Sequence, residues 1–427
     1  MPPITDHPLR YKLANELHAR PFPSMEAPCS AVYVAIKRPN DAVSRDRSED
    51  LRHLTDLLDR HGAPHPQPGA THYYGQIGRH WIKWEQHTEF VTYTAFIKEG
   101  TERPFDPSGF DVFPSDWLDE APGQRITSVM VHVVPRPEDE AEIEQSLENW
   151  FVSESLAVAN VLENAATVAG DFRIDTNGHL RFAVFAGDQT ATRRIGRIVQ
   201  RLCEIETYKS MSMLGFARVR ALQPRLNELD TRLTSLMSDM TSETASAEGT
   251  LNALLSISAE LETLSAQSSF RFGATGAYEA LVNQRIEALR EMRFRSRQHF
   301  SEFMMRRYAP AMRTVSSAER RLEQMSDRSI RASNLLRTRV DVERSAQNQA
   351  LLASMDKRSD LQLRLQRTVE GLSVVAISYY AVSLAGYLLY PVSEATGLSK
   401  GMLTALVTVP VVLLVWWMVR RLRASVE

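Results

Sequence analysis

The chain reads as three parts in series. An α/β domain spans residues 1–190, a long helical coiled-coil or stalk region spans 191–370, and two transmembrane helices fall within 371–419, ahead of a basic tail at 420–427. Three observations predict this order. Short β-branched and aromatic segments, separated by turn signals, fill the first part. A leucine stripe at alternating four- and three-residue steps dominates the second. Two long runs without a charged side chain occupy the third.

In the first part, Cys29 to Ile36 (CSAVYVAI) predicts a strand. Ser48 to His61 predicts a helix with Leu51, Leu54, Leu57 and Leu58 on one face. The proline-bearing stretch 62–69 predicts a loop. His72 to Ile77, His80 to Gln86 and Glu89 to Phe96 predict a meander, and Ile126 to Val134 a further strand. Pro137 followed by Glu138, Asp139 and Glu140 opens a helix, since acidic residues suit its positive end. Phe172 to Ala186 predicts a hairpin turning at Asp175-Thr176-Asn177-Gly178.

The helical region carries Leu222, Leu226, Leu229, Leu233, Leu236 and Met240 in heptad register. The stripe continues through Glu243, Ala247 and Thr250 to Leu254, Ile257, Leu261 and Leu264. Gly273-Ala274-Thr275-Gly276 is expected to break it into a helical hairpin. A second helical stretch is expected from about Tyr278, kinked at Pro310. The stripe fits an intramolecular hairpin or an oligomeric stalk equally well.

The apolar runs are about 371–393 and 401–419, each close to the roughly 20 residues that a spanning helix needs. Trp416 and Trp417 sit where an aromatic belt meets headgroups, followed by Arg420, Arg421 and Arg423. Lys357, Arg358, Arg364 and Arg367 precede the first run, and the link offers only Glu394 and Lys400. The positive-inside rule places both termini in the cytoplasm and the short link outside, with the lipid bilayer as a partner. Met1 to Arg10 lacks the apolar run of a signal peptide. The net charge of −2 excludes a broad basic field for nucleic acid. The two cysteines, Cys29 and Cys203, are expected as reduced thiols.

Ten of the eleven histidines precede residue 180. Two clusters combine histidine with carboxylate: Glu16 with His18, and His80, His87 and Glu89. Such groups suit a divalent cation or acid–base work, and equally the wet face of a hairpin. No HExxH, CxxC, GxSxG or P-loop spacing occurs, so no enzyme is expected. In the first run, Ser373, Ala376, Tyr380, Ser383, Tyr387 and Tyr390 share a helical face. Ser373, Tyr380, Ser383 and Tyr387 are candidates to line a pore in an oligomer; small and hydroxyl residues also serve plain helix packing. The runs hold no Asp, Glu, Lys, Arg or His, which argues against a proton relay or a charge-coupled carrier.

Asn15 to Phe22 (NELHARPF), Trp84 to Phe90 (WEQHTEF) and the C-terminal pair of runs resemble the DUF3422 family, bacterial membrane-anchored proteins of unknown function. The resemblance covers nearly the whole chain and implies no activity. The order of parts also resembles the CorA-type magnesium and zinc transporters, which implies a pentameric homo-oligomer handling a cation. The chain departs from that type where a Gly-Met-Asn signature should follow the first span. There it reads Tyr390-Pro391-Val392-Ser393, and Gly401-Met402 is followed by Leu403. Three readings stand: a CorA-like oligomer that conducts or senses a cation, a membrane-anchored binding or scaffold protein, and a membrane-tethered enzyme.

Overall fold

A computed structural model describes residues 4–11, 13, 22–39, 45–98, 103–240, 246–389, 391 and 399–424. The chain divides into two compact units, Met1–Ser242 with Asn252–Ala332, and Glu243–Leu251 with Ser333–Glu427.

In the first unit the described residues form one nine-stranded sheet. Its strands are β1 (Cys29–Lys37), β2 (His72–Ile77), β3 (His80–Gln86), β4 (Phe90–Ile97), β5 (Gln124–Pro135), β6 (Ala157–Val161), β7 (Ala166–Gly170), β8 (Leu180–Ala186) and β9 (Met292–Arg293). They lie in the order β2-β3-β4-β1-β5-β8-β7-β6-β9. Only β5 and β8 run parallel; the other pairings are antiparallel.

Period-two alternation divides the side chains between the faces. Val32, Val34 and Ile36 of β1, Ile82 and Trp84 of β3, and Val91, Tyr93, Ala95 and Ile97 of β4 form one apolar core. Helix α1 (Arg47–Arg60) adds Leu54, Leu57 and Leu58, and the short α2 (Ser115–Asp119) adds Trp117. Asp46 caps α1 by accepting from the Ser48 N–H at 2.8 Å. One polar side chain is sealed into this layer. The His53 ring stacks on Trp117 at 3.9 Å, its Nε2–H donates to the Trp117 carbonyl at 2.9 Å, and its Nδ1 accepts from the Tyr93 hydroxyl at 2.9 Å. A second core gathers Ile143 and Leu147 of α3 (Glu140–Trp150) with Val158, Ala169, Phe185 and Phe294.

The opposite face meets helix α4 (Thr192–Asp239): the Tyr33 hydroxyl lies 2.7 Å from that of Thr207, and Lys83 Nζ donates to Gln200 at 2.8 Å. Helices α5 (Ala247–Leu289), α6 (Phe300–Arg307) and α7 (Ala309–Leu388) follow. Leu222, Leu226, Leu229 and Leu233 are buried, as are Leu254, Ile257 and Leu261. Arg225 pairs with Glu260, and Arg321 with Asp230 at 2.7 Å, linking α4 to α5 and to α7.

The predicted strands at 72–77 and 80–86 match residue for residue, and the others within two residues. Several expectations change. The leucine stripe is interrupted, because α4 ends at Asp239 and α5 starts at Ala247. Gly273 and Gly276 lie inside α5 with open space around them, so two glycines there do not end a helix whose other residues are packed. Pro310 lies in the first turn of α7, and the helical stretch is interrupted just before it, at Tyr308, the single residue between α6 and α7. The second helical stretch is also broken, at 290–299, where β9 joins the sheet edge beside β6. The Asp175–Gly178 turn is present, with Gly178 at φ +86°, but Phe172 lies beyond the end of β7 in a longer loop.

In the second unit every residue of α7 from 341 to 369 is exposed. α7 and α8 (Lys400–Ala424) each contain a stretch long and apolar enough to cross a membrane. Ser378 and Val415 are the buried side chains within those stretches among the described residues.

Two stability measurements check this packing. A Cβ on Gly215 of α4 would lie 2.1 Å from Thr275 Oγ1 of α5, whereas one on Gly273 meets nothing within 4 Å. Gly215→Val should therefore cost about 1–3 kcal/mol in urea unfolding, while Gly273→Ala should be neutral or gain up to about 1 kcal/mol. Equal effects would contradict the close approach. Burial holds the pKa of His53 and His132 below the ordinary histidine value. As pH falls below about 6.5 the unfolded chain takes up protons first. Unfolding free energy should fall from about pH 6.5 toward 5, less steeply in His53→Gln.

Candidate functional site

The predicted His–carboxylate cluster lies at the two ends of β3. His80 begins the strand, opposite Ile77 of β2. His87 and Glu89 occupy the turn between β3 and β4, outside both strands, so their spacing is not strand spacing. Seven residues of extended chain separate His80 from His87, about 23 Å at 3.3 Å per residue. The structure therefore does not bring the three together. Among the described residues no three His, Cys, Asp or Glu side chains converge as metal ligands. Glu16 and His18 lie outside the described residues.

The β3–β4 turn is held on both sides. The Arg45 guanidinium pairs with Asp50 and donates to the carbonyls of His87 at 2.7 Å and Phe90 at 3.1 Å. Gln86 donates to Asp50 at 2.9 Å. The His87 ring stacks on Phe90 at 4.4 Å. Glu89 is 1% exposed, and its carboxylate accepts from Arg271 and, at 3.0 Å, from the Tyr278 hydroxyl, both on α5. Burial, and then the charge of Glu89, push the Tyr278 phenol well above its ordinary value. Lys37, buried nearby, is pulled down by burial and by Arg271. A carboxylate so buried and engaged is a clasp between the turn and α5, not a site open to a metal. Arg271 stands 182 positions from Glu89, beyond any local sequence pattern.

The polar contacts continue along α4. Lys83 pairs with Glu85 at 3.1 Å, Gln200 donates to Glu204 at 2.7 Å, and Glu204 pairs with Arg285. Cys203 lies among them, its thiol pushed far up by burial and thus inert as a nucleophile.

A cleft of about 770 Å³ opens where this face runs past the start of α4. Tyr74, Trp81 and Phe96 line it, with Lys98, Glu26 and Cys29. Tyr74 stacks on Trp81 at 5.1 Å, and Lys98 Nζ lies 5.9 Å from the centre of the Trp81 ring. The Cys29 thiol is pushed up to about 12 by burial and by Glu26. The segment forming one wall is pinned to α4: Met25 N–H donates to the Thr192 carbonyl at 3.1 Å, and a Cβ at Gly196 would meet the Pro23 carbonyl at 1.8 Å. This cleft is of ligand-binding size. The alternation of Trp81 with Lys83 and Glu85 along β3 is the sequence signal for this face, and it lies beside His80 without including it.

In the apolar stretches Ser373, Tyr380 and Tyr387 are exposed and Ser383 is half-buried. Ser373 donates back to the Val369 carbonyl at 2.8 Å, within its own helix. Arg420 and Arg421 lie over the Trp416 and Trp417 rings at 5.1 and 5.2 Å. The Arg423 side chain falls outside the described residues.

Glu89→Ala leaves Arg271 charged and largely buried, and should cost about 3–5 kcal/mol in urea unfolding. Glu89→Leu combined with Arg271→Met should recover most of that loss. A double variant no better than the single would refute the clasp.

No curated protein and no solved structure matches the chain. The model of a family described as proteins of unknown function, DUF3422, matches residues 5–426, and the chain belongs to that family.

Proposed function

We propose that the chain is a bacterial inner-membrane protein that self-associates and holds its α/β domain in the cytoplasm as a binding module. The observation that carries this reading is the α7 stretch 341–369, where every side chain is exposed, including Leu351, Leu352, Met355, Leu361, Leu363 and Leu365. A lone helix in water draws little stability from its own hydrogen bonds, and six large apolar side chains in that stretch want cover. Copies anchored in one membrane present this stretch in parallel and in register, which favours a second copy of the same chain as the cover. The apolar stretches of α7 and α8, with arginines beyond the second, support the anchor and both termini on the cytoplasmic side.

A second reading keeps the CorA-like pentamer. Ser373, Tyr380, Ser383 and Tyr387 share one face of the first apolar stretch, and a ring of such faces would be a wet axis that a divalent cation can cross. The binding module is preferred because the Gly-Met-Asn signature is absent and the α/β domain offers a formed cleft.

The particle mass of the detergent-purified chain tests the assembly. An oligomer is expected, with Leu351→Cys and Leu361→Cys crosslinking between copies; a monomer without crosslinks would sink the proposal. Pentameric mass together with magnesium flux in proteoliposomes would move the balance to the second reading. Release from membranes by alkaline carbonate would remove the anchor.

A further inference from the structure

On the α1 side of the sheet a smaller cavity, about 340 Å³, opens beside β1 and β5. Val34, Ile36, Phe110 and Leu118 give it apolar walls, and Arg125 and His179 bring the polar groups. A bulge in β5 creates this mixture. Ala35 pairs with Thr127 but Ile36 pairs with Arg125, so Ile126 is left out of the ladder. A regular ladder would set Ile126 beside Ile36 on the cavity side; the extra residue sets Arg125 there.

His179 is buried and incompletely used, and Arg125 is exposed at the mouth of the cavity. The His179 ring, 7% exposed, stacks on Phe110 at 3.9 Å, and its Nδ1 lies 2.9 Å from the Ser128 hydroxyl. Among the described residues its Nε2 has no hydrogen-bond partner. The Arg125 guanidinium likewise has no carboxylate within 4.0 Å among the described residues. Asp175, the acidic residue of the adjoining turn, spends one carboxylate oxygen on the N–H groups of Asn177 and His179, at 2.9 Å each. Gly178 gives Arg125 its room: at φ +86° a Cβ would lie 3.0 Å from Nη2.

We propose that this cavity binds a small organic monocarboxylate. The carboxylate sits on the Arg125 guanidinium, whose forked donors match its two oxygens. Ser128 donates to the Gly178 carbonyl at 3.2 Å, so His179 Nδ1–H donates to Ser128, and the ring, with Nε2 as an acceptor, forms part of the wall beside the ligand body and does not hold the carboxylate. The body of the ligand lies among Val34, Ile36, Phe110 and Leu118. One guanidinium at the mouth of an apolar cavity balances a single negative charge, which favours a carboxylate with a hydrocarbon body over inorganic phosphate. The volume falls at the lower end of small-ligand sites.

Titration calorimetry on the detergent-purified full chain tests this, with benzoate, octanoate, benzyl alcohol and inorganic phosphate as probes. Benzoate or octanoate should bind saturably at one site per chain, and benzyl alcohol and phosphate at least tenfold more weakly. Arg125→Gln should weaken the carboxylate at least tenfold, and His179→Gln severalfold, with an unchanged melting midpoint showing that each variant is folded. Ala121→Phe, which fills the cavity, should abolish binding. Absence of saturable carboxylate binding, equal affinity in Arg125→Gln, or phosphate binding as strongly as benzoate would overturn the proposal.

Discussion

Charged and hydroxyl groups buried between the sheet and helices α4 and α5 must all find partners, and that requirement governs the domain. Tyr33, Lys83, Glu85 and Glu89 project from the sheet into a layer that excludes most water. An unpaired charge there costs several kcal/mol. Thr207, Gln200, Glu204, Arg271 and Tyr278 answer them from the helices or extend the contacts. Hydrogen bonds are directional, so this layer sets the register of helix on sheet more narrowly than an apolar interface would. The opposite face needs less such matching: His53 is hydrogen-bonded there to Tyr93 and Trp117, and the rest of that core closes by volume around Trp84 and the leucines of α1.

That division explains where the cavities lie. The larger cleft appears where the matched layer ends and the aromatic side chains of β2, β3 and β4 run past the start of α4. The smaller one appears on the apolar side, where the β5 bulge introduces an arginine and the loop before β8 brings in a histidine. Each sits at a margin of well-packed structure, with walls that close packing holds rigid. The residues that first suggested chemistry, His87 and Glu89, turn out to belong to the clasp. A histidine and a carboxylate close in sequence carry the same composition whether they wait for a ligand or are already saturated.

Strands β1 to β5 were legible because period-two alternation is local: each side chain's face follows from its neighbours two positions away; β6, β7 and β9 carry no such signal and were not. The ends of α4 and α5 were less legible. A heptad stripe continues across the connection between them, and two glycines inside α5 look like a break; packing against neighbouring helices, not glycine propensity, decides where a helix stops.

From the sequence alone came the α/β domain, the helical region and two segments apolar enough for lipid, because each depends on the composition and period of contiguous residues. Tertiary structure alone decided the partners of Glu89, the use of Arg125 in place of Ile126 beside Ile36, and the shape of both cavities. Those depend on residues tens to nearly two hundred positions apart, and on one extra residue in β5 that no periodicity marks. Contact across such separations is set by how faces close on one another, which a linear pattern does not record.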